Sequence, residues 1–487
     1  MTASRPAVRP EQENTKTAGA ATVVLAMCLG LMISMFNSTL VNVMVPAIGD
    51  GLHASATELE WVSAVYTLTY GALLLLGGAL GNRFGRRTAF LAGIAVFVLG
   101  SLGCAFAPGI GVLLAGRVVQ AVGVAVMLPQ TLSILVHEFA DQAARARAIG
   151  VWAGVSSLGL GAGPVLGGVI LSVSSWRAGF VLSVALGMIT LVLGLLAIPA
   201  ARHGRPDSGP GVDYPGAALG AVCLAALIYG LLQTQTLGWA SPVIIGSFVV
   251  AVLALGVFVA TQYGRERRGA NPLMPLSLWR SRHLVAASVA GLAYFFMFFG
   301  ILYFYSIDLQ QSRGYSALVT GLLFLPMMAC IAAFGPIAGW LAARWTSARV
   351  LVLGLALGAL GAFLLSQQGS GAGVLDLEWR FAIIGIASGF MSSSMSNLAV
   401  SSVAARYSST AAAIHNTFRQ IGSTLGVAAL GVVIAATHPS TPSGPRATMT
   451  LGLDHATAVI AALLLASAIA VLALTARPRQ PPATAGS

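Results

Sequence analysis

Fourteen apolar runs follow one another along the 487 residues of this sequence, each near the ~20 residues a helix needs to cross hydrocarbon. They fall near 20–45, 60–80, 88–107, 111–135, 148–171, 178–199, 214–233, 242–262, 284–307, 317–342, 349–366, 379–403, 411–436 and 456–475. Inside a bilayer only helices and closed barrels satisfy their own backbone. The runs lack the ten-residue alternation and repeated hairpin turns of a barrel. The fold expected is therefore an all-α integral membrane protein with 14 transmembrane helices. Composition agrees, since 8% of residues are charged where a soluble domain carries about 25%. High hydropathy excludes disorder. The first run is too long for a signal peptide and no small-residue cleavage pattern follows it, so it reads as an uncleaved span behind a polar tail, residues 1–19.

The excess of 26 Lys and Arg over 14 Asp and Glu, net +12, would suggest nucleic acid or anionic lipid in a soluble protein. Its distribution gives it another meaning. With both termini on one side, twenty basic residues fall in segments on that side and four (Arg177, Arg313, Arg380 and Arg446) on the other. Arg117 and Arg419 fall inside spans. By the positive-inside rule the basic side is cytoplasmic, the location is the cell membrane, and no nucleic-acid role is expected. The four cysteines, Cys28, Cys104, Cys223 and Cys330, are far apart in apolar stretches and read as small buried hydrophobes, with no disulfide or metal site implied.

The spans repeat. Gly78, Leu80, Arg83 and Phe84 after the second run correspond to Gly339, Leu341, Arg344 and Trp345 after the tenth, at a constant offset of 261 residues. Two related halves that rock about a central site are a usual design of secondary transporters. The division expected is a six-helix bundle over 20–200, linkers with an inserted helix pair over 201–283, a second six-helix bundle over 284–476, and a tail over 477–487. The segment Arg202 to Asp213, rich in Gly, Pro and charge, and the segment Tyr263 to His283 bound the insertion.

Several motifs sit at defined places on these spans. They are GNRFGRR after span two, RVVQ from Arg117 to Gln120 in span four, and GAGPVLGG from Gly161 to Gly168 in span five. NSTLVNVMVP runs from Asn37 to Pro46, and Trp176 and Arg177 open span six. The second half carries QQSRGYSALVTG from Gln310 to Gly321 and NTFRQIGSTLG from Asn416 to Gly426. Together these resemble the major facilitator superfamily, and within it the drug/proton antiporters with fourteen spans. The resemblance covers nearly the whole chain.

In the loop after span two, Gly78 and Gly85 permit tight backbone, while Arg83, Arg86 and Arg87 sit where anionic headgroups and helix C-termini attract them. An ordinary positive-inside loop is the plain alternative. The resemblance implies a cytoplasmic gate whose acid pairs with arginine, but here that acid is replaced by Asn82, which can hydrogen-bond yet cannot form an ion pair. In span five, Gly159, Gly163 and Gly167 recur every four residues beside Pro164 and Gly168. Such a stripe permits close helix approach and Pro164 a bend. In the family the pattern marks exporters. Arg117, with Gln120 nearly a turn on, is an intramembrane charge and so a functional hypothesis, although carbonyls could satisfy it structurally. The family implies a part in proton transfer. Arg419, with His415, Asn416 and Gln420 around it, forms a second polar cluster, close enough to its helix end to snorkel.

A proton-coupled carrier usually needs an embedded acid. The family has an aspartate two residues before the motif threonine, where this chain has Asn37 before Thr39. No acid lies at the centre of a run. The best proton candidates are Glu60, opening span two, and Asp308, ending span nine just before Gln310, each with solvated helix-end acid as the alternative. Asn42, Tyr66 and Asn397 complete the candidate pathway. An interior of arginines and amides predicts a neutral, zwitterionic or anionic amphipathic solute, with aromatic lining available between Tyr294 and Tyr305. The sequence therefore predicts an exporter of an amphipathic antibiotic, drug or secondary metabolite in exchange for protons. The alternative is a facilitative or importing carrier. Expected partners are the small-molecule substrate, protons and membrane lipid, with the chain a monomer. No cofactor is expected, and an enzyme is disfavoured because only His415 of the seven histidines falls in a run and no acid accompanies it.

Overall fold

The computed structural model describes residues 10–139, 141–198, 213–270, 272–369, 373–403, 408–437 and 445–476, apart from the side chains of some helical residues, Asn82 among them. The tails 1–9 and 477–487 and most of the first linker lie outside the described residues. The first half comprises α1 (Pro10–Leu52), α2 (Ala56–Phe84), α3 (Arg86–Ala105), α4 (Ile110–Glu138), α5 (Gln142–Val173) and α6 (Trp176–Ala197). Then come α7 (Tyr214–Leu237) and α8 (Pro242–Arg267). The second half begins with α9 (Arg282–Ile307), which runs into a π-helical turn, Asp308–Ser312. It continues with α10, in two pieces (Ala317–Leu323 and Leu325–Arg344), α11 (Ser347–Leu365), α12 (Val374–Ser401), α13 (Ser408–Ala435) and α14 (Pro445–Thr475). Twelve of these are long and apolar enough to cross a membrane among the described residues. With 29 and 32 residues, α2 and α5 are about 43 and 48 Å long and complete fourteen.

Local chemistry starts several of the helices. Ser55 and Glu58 form a reciprocal capping box on α2. Ser281, Ser316 and Thr346 cap α9, α10 and α11. At Gly85 φ is +87°, so the sharp turn between α2 and α3 needs a residue without a Cβ. Helix α14 starts eleven residues ahead of its apolar run, because its first turns are polar and escape a hydropathy reading. Asp454 and His455, expected outside the spans, therefore lie within this helix.

Packing in the first half recurs in the second. There α1 lies on α5 and α6, α2 on α4, and α3 on α4 and α6. The corresponding pairs α9 with α13 and α14, α10 with α12, and α11 with α12 and α14 repeat the scheme. The halves meet through α1 with α9, α2 with α13, and α5 with α10. Inserted helix α7 lies across the α2–α13 seam, packing Ile228 and Leu232 on Ala64, Leu68 and Ala428. Helix α8 packs on α7 and leaves Val249, Val252, Leu253 and Val257 exposed, as a helix facing lipid should. On the basic side Asp213 caps α7 and accepts Gln262 Nε2 at 2.7 Å and Arg265 Nε at 3.4 Å, which ties the two inserted helices together. The linker that follows sets Trp279 edge to face against Phe418 of α13, with ring centres 5.2 Å apart.

The α5 stripe does two jobs. A Cβ on Gly163 would overlap the Thr39 side chain and lie 2.7 Å from Leu40 N, while Gly159 and Gly167 face Met32 and Leu40, so these three seat α5 on α1. Gly168 instead lies against Ala317 and Leu318, and Gly321 against the Pro164 carbonyl, so the motif also closes α5 on α10 of the other half. Gly163→Ala is expected to cost about 1–3 kcal/mol through overpacking, read as a lower melting temperature. Gly78→Ala is the control, because its Cβ would meet only Pro129 at 3.8 Å. Equal behaviour of the two variants would refute this account of the stripe.

Candidate functional site

Polar side chains in the interior gather in three places. The first lies within the first half. Asn37 Nδ2 donates to Ser183 Oγ at 3.0 Å, and Gln120 Nε2 donates to Ser101 Oγ at 2.7 Å and reaches Asn37 Oδ1 at 3.5 Å. Arg117 donates from Nη1 to Gln120 Oε1 at 3.1 Å and from Nε to the Val62 carbonyl at 3.2 Å. Its guanidinium lies 4.1 Å from the ring centre of Tyr66, whose hydroxyl donates to the Ser34 carbonyl. Asn42 Oδ1 accepts from Ser63 at 3.0 Å. One network thus joins α1, α2, α3, α4 and α6 with a single formal charge, Arg117, held by a carbonyl, an amide and an aromatic face.

The second cluster is on α13 facing α9 and α2. Arg419 Nη1 donates to Asn416 Oδ1 at 2.8 Å, and its guanidinium lies 4.2 Å from the ring centre of Phe295. Arg419 is eleven residues from Ser408, about 16 Å along the helix, and turns onto Phe295. The expected snorkelling is therefore corrected. Gly291 of α9 makes room for His415 and Arg419, and Gly71 of α2 for Gln420. The aromatic side chains from Tyr294 to Tyr305 are all buried in packing.

The third place is the side away from the basic loops. Glu60 and Asp308, for which solvated helix ends were the alternative, are both buried, at 4% and 0% exposure. Glu60 sits in the seam, where a Cβ on Gly431 of α13 would strike its carboxylate. Asp308 Oδ2 holds Arg313 Nε at 2.7 Å in a fully buried pair. Their burial escaped the sequence reading for one reason: a polar helix end inside a bundle cannot be told from one in water by hydropathy. Gln310 Nε2 donates to the Val43 carbonyl at 3.0 Å, linking the halves. Thr67 and Thr424, paired at 2.8 Å across the seam, carried no sequence signal, being single hydroxyls in apolar runs.

The remaining expected residues stand apart. Asn397 is exposed near the end of α12 and joins none of these clusters. In the basic loop Arg83 is exposed over the Phe84 ring, Arg86 opens α3, and Arg87 donates to the Leu195 carbonyl in the last turn of α6. The Asn82 side chain lies outside the described residues. Gln130, unforeseen, donates to the Gly77 carbonyl at 2.9 Å and fixes α4 on α2.

Comparison with known proteins fits this architecture. Residues 27–427 match the profile of the Major Facilitator Superfamily. The chain is 32% identical to a methylenomycin A resistance protein of Bacillus subtilis (strain 168), over 87% of this chain and 89% of that one. It is 32% identical to the tetracenomycin C resistance and export protein of Streptomyces glaucescens, over 85% and 75%. Against the cephamycin export protein of Amycolatopsis lactamdurans it is 30% identical over 96% and 95%. A POT-family transporter solved in complex with 5-aminolevulinic acid shares the fold, with a TM-score of 0.69 and 16% identity over 93% of this chain and 96% of that one.

Proposed function

The chain belongs to the Major Facilitator Superfamily, and from that premise we propose that it exports an amphipathic antibiotic, drug or secondary metabolite across the cell membrane in exchange for protons. The observation that carries this reading is the α5 motif: its Pro164 and Gly168 close on α10 of the other half, away from the basic loops. This is a seam that must part for a solute to leave. The basic side is cytoplasmic on the positive-inside rule, with both termini there and the halves 20–200 and 284–476 moving about 201–283. The chain works as a monomer in lipid and has no enzymatic role. The charges of its two central clusters, Arg117 and Arg419, are held by neutral groups, which favours a neutral, zwitterionic or anionic solute over a lipophilic cation.

The facilitative alternative draws on Asn37, a neutral node with amide and hydroxyl partners where a titrating group would be expected. Efflux from loaded cells separates the two. An exporter lowers internal solute below the external level and stops doing so when an uncoupler collapses the proton gradient. Equilibration at the same rate with and without the uncoupler would establish the facilitator.

A further inference from the structure

On the reading that the chain carries an amphipathic solute, we infer that Arg419 is the seat for an anionic group of that solute, a carboxylate or its equivalent. The two interior arginines differ in what they have left to give. Arg117 is 1% exposed, and its Nε and Nη1 are spent on Val62 and Gln120 within its own half. Arg419 spends one donor on Asn416, keeps a buried Nε with no acceptor, and remains partly exposed. Beside it the carbonyl oxygen of Gln420 is likewise buried without a hydrogen-bond partner, an acceptor for a donor group on the same solute. Buried polar atoms are nearly always satisfied, so the uncommitted Nε marks Arg419, of the two arginines, as the one with a donor to offer.

The charge balance points the same way. Among the described residues the side chains within electrostatic reach of the Arg419 guanidinium are Tyr70, Tyr294 and His415, and no carboxylate is among them. An unneutralised guanidinium within a bundle is costly. A docked anion offsets that cost through a charge-assisted hydrogen bond, which arginine makes in bidentate form to a carboxylate. A cationic solute would be repelled. Tyr70 belongs to α2 and Arg419 to α13, so an anion held here touches both halves across the seam, where a carried solute has to bind.

The test uses the full chain in lipid nanodiscs and three matched probes: pyrenebutyrate, its neutral amide, and the corresponding amine. Binding is read by energy transfer from the protein's tryptophans. Wild type is expected to bind the carboxylate at least ~10-fold tighter than the amide, with the amine weakest. In Arg419→Gln the carboxylate preference is expected to fall to within about twofold while amide affinity holds, which shows the fold intact. Arg419→Lys keeps part of the preference. The inference is overturned if wild type does not prefer the carboxylate, whether the probes bind alike or not at all. It is also overturned if the preference survives Arg419→Gln. Uncoupler-sensitive efflux of the amide, with no anion preference, would leave the export reading standing and remove this one alone.

Discussion

Asp308→Asn is expected to lower stability by about 3 kcal/mol, the cost of stripping one partner from a buried ion pair. The pair is buried on both sides, with Asp308 at 0% and the Arg313 side chain at 1% exposure. Asparagine can still accept a hydrogen bond from Arg313 Nε, but it cannot neutralise the guanidinium, which the surrounding helices keep from water. Asp454 of α14 lies within electrostatic reach of Arg313 and softens the loss. The expected loss is therefore at the low end of the range for such pairs. Arg313→Gln should be at least as damaging, because it leaves Asp308 charged and unpaired. The double variant Asp308→Asn/Arg313→Gln should recover a large part of the loss, since neither member of the pair then carries a charge. Thermal unfolding in detergent, followed by the monodisperse peak on size exclusion, gives all four points of the cycle. Strictly additive losses would mean that the pair is not coupled.

That pair marks where sequence reasoning stops. Hydropathy gave the helices because an apolar run of spanning length has one stable backbone in lipid, and the offset of Gly78 and Arg83 from Gly339 and Arg344 gave the repeat that the packing echoes. Arg117 with Gln120, and separately Asn37, were legible because polar residues in apolar runs stand out, but not that they join one network. What could not be read was direction. The spacing of Gly159, Gly163 and Gly167 indicates a close helix, yet nothing in it says that they meet α1 while Gly168 meets α10. Nor could the sequence tell the two arginines apart, because their difference lies in partners far along the chain: Val62 for Arg117, Phe295 for Arg419. Hydroxyls such as Ser183 and Thr424 were invisible for the same reason. A lone serine or threonine satisfies itself on its own helix unless another helix brings it a partner.

Glu60→Gln is expected to abolish the dependence of export on the proton gradient while leaving solute exchange intact. Glu60 is on α2, in the seam against Gly431 of α13 and close to Tyr303 of α9. A carboxyl can exchange a proton where the amide of the variant cannot. A seam that closes and opens over this side chain once per cycle would therefore bind and release one proton with it. Asp308 is a poorer carrier, since its charge is committed to Arg313 and releasing it would break the pair. With a difference of one pH unit, one exchanged proton supports up to about tenfold accumulation of solute in inverted vesicles from the pH difference alone. Glu60→Gln should bring that ratio to about one without slowing counterflow of labelled against unlabelled solute. The double variant Asp308→Asn/Arg313→Gln should keep the ratio of the wild type. If Glu60→Gln vesicles still concentrate solute as wild type does, the carrier is not this carboxylate. If counterflow is lost as well, Glu60 serves the motion of the halves and not the proton alone. On these two predictions the carboxylates buried on the same side of the bundle have opposite tasks, Asp308 to hold α9 in its π-helical turn and Glu60 to exchange a proton as α2 leaves α13.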